Sequence, residues 1–296
     1  MNVLNEKLNP NFVTGFADGE ACFYVRIGKK KNMKIGWIVE PVFTIRLHIK
    51  DVFVLNLVQA YFDGIGKIYS YNNLNEAFFR VGTFNELEVI VNHFDKYPLM
   101  TQKWSDFILF KEVLYLIKNK EHLTLQGLLK IANIRASMNT KTVIRGITGI
   151  VPVPRPSRDV PLHIDPFWMA GFVSGEGSFT VGLKEYKSKL GETSWLRFIL
   201  TQHNRDQSLI NSFVTFFGCG KINQASQATY FVVQRLSDLT NNIIPFFDRY
   251  PLVGIKVKDY EDFKHVAQLM SSKAHLTSTG LEQIRKIKNE MNTFRK

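Results

Sequence analysis

Along residues 23–30 the apolar side chains Phe23, Val25 and Ile27 alternate with Tyr24, Arg26, Gly28 and Lys30. Val39, Phe43, Ile45 and Leu47 then alternate with Ile38, Glu40, Val42, Thr44 and Arg46. A period of two places one set on a buried sheet face and the other on an open face, so two strands are predicted. The segment before them, from Phe12 to Glu20, reads as a helix, as does Asp51–Phe62. Ile65–Tyr71 and Ala77–Val81 read as a second pair of strands, with helices after them. The order is α-β-β-α-β-β-α-α.

The same order returns. Residues 11–140 can be laid over 167–293 with an offset that drifts only from 156 to 153. Gly15-Phe16-Ala17-Asp18-Gly19-Glu20 reappears as Gly171-Phe172-Val173-Ser174-Gly175-Glu176, and His48-Ile49-Lys50-Asp51 as His203-Asn204-Arg205-Asp206. Gly66-Lys67-Ile68 matches Gly220-Lys221-Ile222, Asp95-Lys96-Tyr97-Pro98-Leu99 matches Asp248-Arg249-Tyr250-Pro251-Leu252, and His122-Leu123-Thr124 matches His275-Leu276-Thr277. The period is far above that of solenoid repeats, so a whole domain is duplicated about a pseudo-two-fold axis. We expect domains at 1–138 and 166–296, joined by an extended linker at 139–165 that carries Pro152, Pro154, Pro156 and Pro161. The fold class is α+β: a tandem pair of αββαββα domains, each with an antiparallel sheet covered by helices on one face.

Composition narrows the partner. Of 296 residues, 38 are Lys or Arg and 26 Asp or Glu, a net charge of +12 that suits a polyanion, nucleic acid first. An anionic membrane surface is the competing reading. No stretch approaches the roughly 18 uninterrupted apolar residues of a spanning helix, and the opening residues carry neither an apolar signal core nor an Arg-rich pattern. Cys22 and Cys219 are too few for a disulfide framework or a thiolate zinc site, which points to a reducing compartment.

Each opening helix holds two glycines four residues apart, Gly15 and Gly19 or Gly171 and Gly175. A glycine inside a helix costs about 1 kcal/mol relative to alanine, and close packing of the two helices along these faces is the expected compensation. Glu20 and Glu176 would then be neighbours at two helix C-termini, opposed by both helix dipoles and by each other. A divalent cation reverses both penalties, and Mg²⁺ is commonly held by one or two carboxylates with substrate phosphates. The alternative is that the helices only join the domains and the glutamates are solvated.

The paired segments Phe12–Glu20 and Trp168–Glu176 resemble the double signature of the LAGLIDADG homing endonucleases, in their single-chain, two-motif fungal group. The resemblance extends to the His-x-basic-Asp, Tyr-Pro-Leu-x-x-x-Lys-x-x-Asp and His-Leu-Thr-x-x-Gly-Leu blocks and covers nearly the whole chain. It implies a monomer whose two sheets form a saddle on double-stranded DNA and which cuts both strands across the minor groove. It also implies that Glu20 and Glu176 bind the divalent metal, Mg²⁺. Lys103 and Lys256, in the Tyr-Pro-Leu blocks, and Gln202 correspond to positions that order water and offset phosphate charge; Leu47 occupies the place of Gln202 in the first copy. Solvated helix-end charge is the alternative for both lysines. Asp18, replaced by Ser174 in the second copy, reads as structural, and His48, His203, His122 and His275 as caps or structural residues. The resemblance further implies an organelle-encoded, mitochondrial protein, with two rival roles: an intron RNA maturase, or a DNA-binding protein that no longer cuts.

The open sheet faces supply the candidate DNA contacts, since a two-stranded ribbon fits the major groove, and strands of this length in two domains would follow roughly 20 base pairs. In the first copy these are Tyr24, Arg26, Lys30, Asn32 and Lys34, then Ile38, Glu40, Thr44 and Arg46, and finally Lys67, Tyr69, Tyr71 and Arg80. In the second copy they are Thr180, Lys184, Tyr186, Ser188 and Lys189, then Trp195, Arg197 and Thr201, and finally Lys221, Asn223 and Gln234.

Overall fold

The structure is a computed structural model that describes residues 7–138, 146–158, 163–186 and 191–292. The chain divides into two compact units, Met1–Pro161 and Leu162–Lys296. Ser188 and Lys189 lie outside the described residues.

In the first unit α1 (Pro10–Glu20) opens with Asn9, whose side chain accepts from the Asn11 N–H, and with Pro10 in the first turn. It runs directly into β1 (Ala21–Lys29), followed by β2 (Trp37–His48), α2 (Val52–Tyr61), β3 (Lys67–Tyr71) and β4 (Glu76–Val81). Three helices follow: α3 (Phe84–Lys96), α4 (Lys103–Lys118) and α5 (Leu125–Ser137). That is one more than the sequence pattern suggests, because the apolar spacing continues across the break at Tyr97-Pro98-Leu99. The strands pair antiparallel in the order β1-β2-β4-β3.

The second unit repeats this with α6 (Pro166–Glu176), β5 (Gly177–Glu185), β6 (Glu192–His203), α7 (Gln207–Phe217), β7 (Lys221–Gln224) and β8 (Ala228–Val233), in the sheet order β5-β6-β8-β7. The counterpart of α3 is interrupted: α8 (Leu236–Asp238) passes through a π turn at Leu239–Ile243 into α9 (Ile244–Arg249). Pro245 sits in the first turn of α9. Proline removes a helical donor and crowds the preceding turn, and a π turn just before it absorbs both effects. The chain ends with α10 (Lys256–Ser271) and α11 (Ser278–Glu290).

Phenylalanine fills both cores. Phe23 meets Phe43, Phe94, Phe107 and Phe110 at centroid distances of 5.1–5.5 Å, and Phe179 meets Phe198, Phe247 and Phe263 at 5.1–5.7 Å. The helices thus cover one face of each sheet, and burial of large aromatic area is the main force fixing them there.

One buried cluster differs between the units. His93 bridges Thr14 Oγ1 at 3.1 Å and the Tyr61 hydroxyl at 3.0 Å, tying α1 and α2 to α3. Burial pulls the His93 pKa from its ordinary 6.5 to about 4. At the matching positions of the second unit stand Ala170, Phe216 and Phe246, and the last two pack ring to ring at 5.4 Å. A histidine held neutral in the fold but protonated when unfolded gives stability that rises with pH between about 4 and 6.5. Urea unfolding at pH 7 and at pH 4.5 should therefore differ by on the order of 2–3 kcal/mol through this residue, and His93→Phe should flatten that part of the profile.

Candidate active site and nucleic-acid interface

The end of α1 is built by the loop that leads into α4. Asp18, only 3% exposed, accepts from the Met100 N–H at 2.8 Å, the Thr101 N–H at 3.1 Å and the Thr101 hydroxyl at 2.6 Å. Lys103, at the start of α4, reaches back and donates its Nζ to the carbonyls of Ala17 and Gly19, at 2.8 and 3.0 Å. Carbonyls at a helix C-terminus lack intrahelical donors and carry the negative end of the dipole, so an ammonium group is well placed on them. The lysine is therefore fixed beside Glu20, the last residue of α1, and is not a freely solvated charge.

The second unit reaches the same arrangement with different atoms. Ser174 Oγ accepts from the Val253 N–H at 3.0 Å and donates to the Ala170 carbonyl at 2.8 Å. Lys256 donates its Nζ to the Val173 carbonyl at 3.2 Å and to that of Gly175, beside Glu176. Asp18 and Ser174 thus do the same mechanical job, which is why the motif tolerates either.

Register places the third candidate. Leu200 pairs with Gly177, so Gln202, two residues further along β6, runs alongside the end of α6 on the same sheet side as Leu200 and Phe198. Leu47 stands in the equivalent place, two residues past Ile45, the partner of Ala21. His48 and His203 accept through Nδ1 from the N–H groups of Lys50 and Arg205, at 3.2 and 3.1 Å, as caps of short 3₁₀ turns.

Sequence reasoning missed the strap across the first site. Residues 146–158, within the stretch read as a linker, form no helix or strand and are held on the first unit. Arg155 pairs with the fully buried Asp106 at 2.7 Å and donates to the carbonyls of Ser137 and Gln102. Arg158 donates to the Leu99 carbonyl and lies over Trp104 at 5.7 Å. Burial lowers the Arg158 pKa, and the charge of Asp18 works against that shift. In the second unit the counterpart, Asp259, accepts instead from the Asn292 N–H at 2.9 Å. Only the acid of the Lys-x-x-Asp spacing hinted at this need for a partner.

The open sheet faces carry most of the expected contact residues. Register puts Tyr24, Arg26, Ile38, Glu40, Thr44, Arg46, Lys67, Tyr69, Tyr71 and Arg80 together on the face of the first sheet away from the helices. Lys30, Asn32 and Lys34 lie in the exposed β1–β2 turn, closed by the Lys30 N–H to the Gly36 carbonyl at 2.9 Å. Thr44 donates its hydroxyl to the Phe79 carbonyl, so that group is already engaged. Lys67 and Arg80 are direct cross-strand partners. Like charges so placed are unfavourable unless an anion lies over them. Tyr24, Tyr69, Phe78 and Arg80 line a hollow of about 530 Å³ on this face.

On the second sheet Thr180, Lys184, Trp195, Arg197, Thr201, Lys221 and Asn223 share the open face. Tyr186 follows β5 and is exposed. Trp195 lies across Gly182, whose added Cβ would come within 2.0 Å of the indole, and the Arg197 guanidinium stacks over that ring at 5.2 Å. Glycine is needed there so that the indole can lie flat on the sheet. One expectation is corrected: Gln234 follows the end of β8 and is not a strand residue. The residue opposite Lys221 is Val232, because the β7–β8 connection is shorter than β3–β4 and the strand slides by two positions.

The family model described as LAGLIDADG endonuclease matches residues 13–114 and 169–267. The chain belongs to this family. A relative named "Probable intron-encoded endonuclease 3", from Neurospora crassa, is 38% identical over 94% of the chain, and the chain spans about half (53%) of that relative's length. Meganuclease I-SmaMI bound to uncleavable DNA is 42% identical, with a TM-score of 0.94 and 99% of each chain covered. I-SmaMI bound to an uncleaved DNA target in the presence of calcium ions is 42% identical, with a TM-score of 0.91 over 97% of this chain and 99% of that one. Both copies of the motif here close on a glutamate, Glu20 and Glu176. No helix among the described residues is long and apolar enough to cross a membrane.

Proposed function

We propose that this LAGLIDADG protein is a site-specific endonuclease that breaks both strands of double-stranded DNA by hydrolysis. The observation that carries the reading is the repeated helix end: a terminal glutamate, with a lysine anchored beside it, at the head of a sheet whose open face is basic and aromatic. DNA-bound neighbours of the same family support it. Glu20 and Glu176 would hold divalent cations, with Mg²⁺ as the working ion. Their all-oxygen donor chemistry fits an ion that keeps waters and takes phosphate oxygens. The bound ion would supply Lewis-acid stabilisation of phosphoryl charge.

The chain's own residues position the rest. Water attacks phosphorus, the bond to the 3′ oxygen breaks, and the products are a 5′-phosphate and a 3′-hydroxyl. Lys103 and Lys256, held by the backbone of α1 and α6, contribute fixed positive charge toward the phosphate. Gln202 would orient water in the second site, where Leu47 offers the first none, so the two strands need not be cut at equal rates. The sheets would read a target of roughly 20 base pairs. The protein would act as a monomer in the mitochondrion, in keeping with an intron-encoded relative.

The test is a plasmid carrying the flanks of the open reading frame joined across the insertion point. With Mg²⁺ the purified protein should linearise it, and chelator should stop the reaction. A plasmid left intact with Mg²⁺ or Mn²⁺, at protein levels that saturate binding, would overturn the nuclease reading.

A further inference from the structure

The open face of the first sheet carries two acids, Glu40 and Glu76. Arg26 and Glu40 are direct cross-strand partners joined Nη1 to Oε2 at 2.9 Å, and Arg46 is joined to Glu76 with its guanidinium over Phe78 at 5.6 Å. The matching positions of the second sheet hold Gly182 opposite Trp195, and Thr201 near Ala228. Among the described strand residues of that open face there is no acidic side chain.

Stability does not account for the first-sheet pairs. The arginine side chains are 64% and 62% exposed, and ion pairs of that kind contribute little to folding. A carboxylate facing a polyanion also weakens association, since it repels phosphate. What it can do is choose. In the major groove a carboxylate finds hydrogen-bond donors only on base amines, above all cytosine N4, while arginine finds its two-acceptor match at guanine O6 and N7. The glutamate also fixes the guanidinium by one edge and leaves other N–H groups directed outward, which lowers the entropy cost of a second, geometrically demanding contact.

Resting on the DNA reading above, we propose that Arg26–Glu40 and Arg46–Glu76 are specificity pairs, each selecting a G·C base pair in the half of the target read by the first unit. Within a pair the arginine contacts guanine, and the glutamate holds the arginine and accepts from a base amine. Among its described strand residues the open face of the second sheet has no such pair, so its half of the target is read without them. The two halves of the target are therefore chosen by different chemistry, and the first tolerates fewer substitutions.

The experiment selects bound duplexes from a random pool, sequences them, and repeats the selection with Glu40→Gln, Glu40→Ala, Glu76→Gln and Arg26→Lys, each checked for an unchanged melting midpoint. The parent should enrich G·C at positions confined to one half of the recovered site. Each Glu40 variant should lose about tenfold of that preference at one position, with total affinity equal or higher and other positions unchanged. Arg26→Lys should lose the preference at that same position while keeping the salt dependence. Variants that recover the parent's sequence, or that relax both halves evenly, would sink the pairs while leaving the DNA reading intact. A parent that enriches no sequence would remove the DNA reading, and the pairs with it.

Discussion

Replacing Glu20 or Glu176 with Gln is expected to slow double-strand cleavage by about 10²–10³-fold, with DNA binding unchanged or slightly tighter. Glutamine preserves the volume and the helix end but removes the charge. Each glutamate closes a helix whose dipole disfavours an anion, and the ammonium of Lys103 or Lys256 is held on the carbonyls beside it. An acid at the matched helix end of both units is the group proposed above to hold the cation. Losing one such charge from a site that stabilises developing phosphoryl charge costs roughly 3–4 kcal/mol of barrier. Binding depends on the sheet faces and so should not suffer; one negative charge fewer near the phosphates favours it. Linearisation rates and gel-shift titrations on the same target check both halves of the statement. If both variants cut like the parent, the chemistry lies elsewhere in the molecule.

The duplication made the architecture legible from sequence. One copy of Phe23, Val25 and Ile27 alternating with polar residues is a modest signal; the same alternation at Phe179, Val181 and Leu183, in the same place after the same motif, is a strong one. Register then sorted nearly every open-face residue correctly, since strand period alone decides the side. Where it failed, the cause was local. Pro41, Val42 and Phe43 are buried in succession, against the alternation. Gln234 fell off the sheet because a hairpin shortened. The strap over the first site was invisible, because Arg155 and Arg158 sit among prolines with no periodicity, and their partners, Asp106 and the Leu99 carbonyl, lie about 50 residues or more away. The Thr14–His93–Tyr61 cluster was equally hidden, each residue being unremarkable in its own segment.

The Asp18→Ala variant should lose about 3–5 kcal/mol of stability, and Ser174→Ala only about 1. Asp18 is buried and takes two backbone N–H groups and a hydroxyl from residues 100–101, so removing it strands donors that water cannot reach. The loop it holds also carries Lys103 into α4, and cleavage should fall together with the melting midpoint. Ser174 takes a single N–H, that of Val253, and part of its hydroxyl's bonding stays within its own helix. Calorimetry of the two variants gives the contrast directly, and Asp18→Ser should fall between them, since it imports the second unit's solution into a loop built for two oxygens. The decisive control is metal titration. If Asp18 acts through the loop, raising Mg²⁺ leaves the variant's cleavage deficit untouched, whereas lowering the temperature narrows it. Rescue by high Mg²⁺ at an unchanged melting midpoint would instead make Asp18 a ligand, and the division of labour between the two acids of the first motif would have to be redrawn.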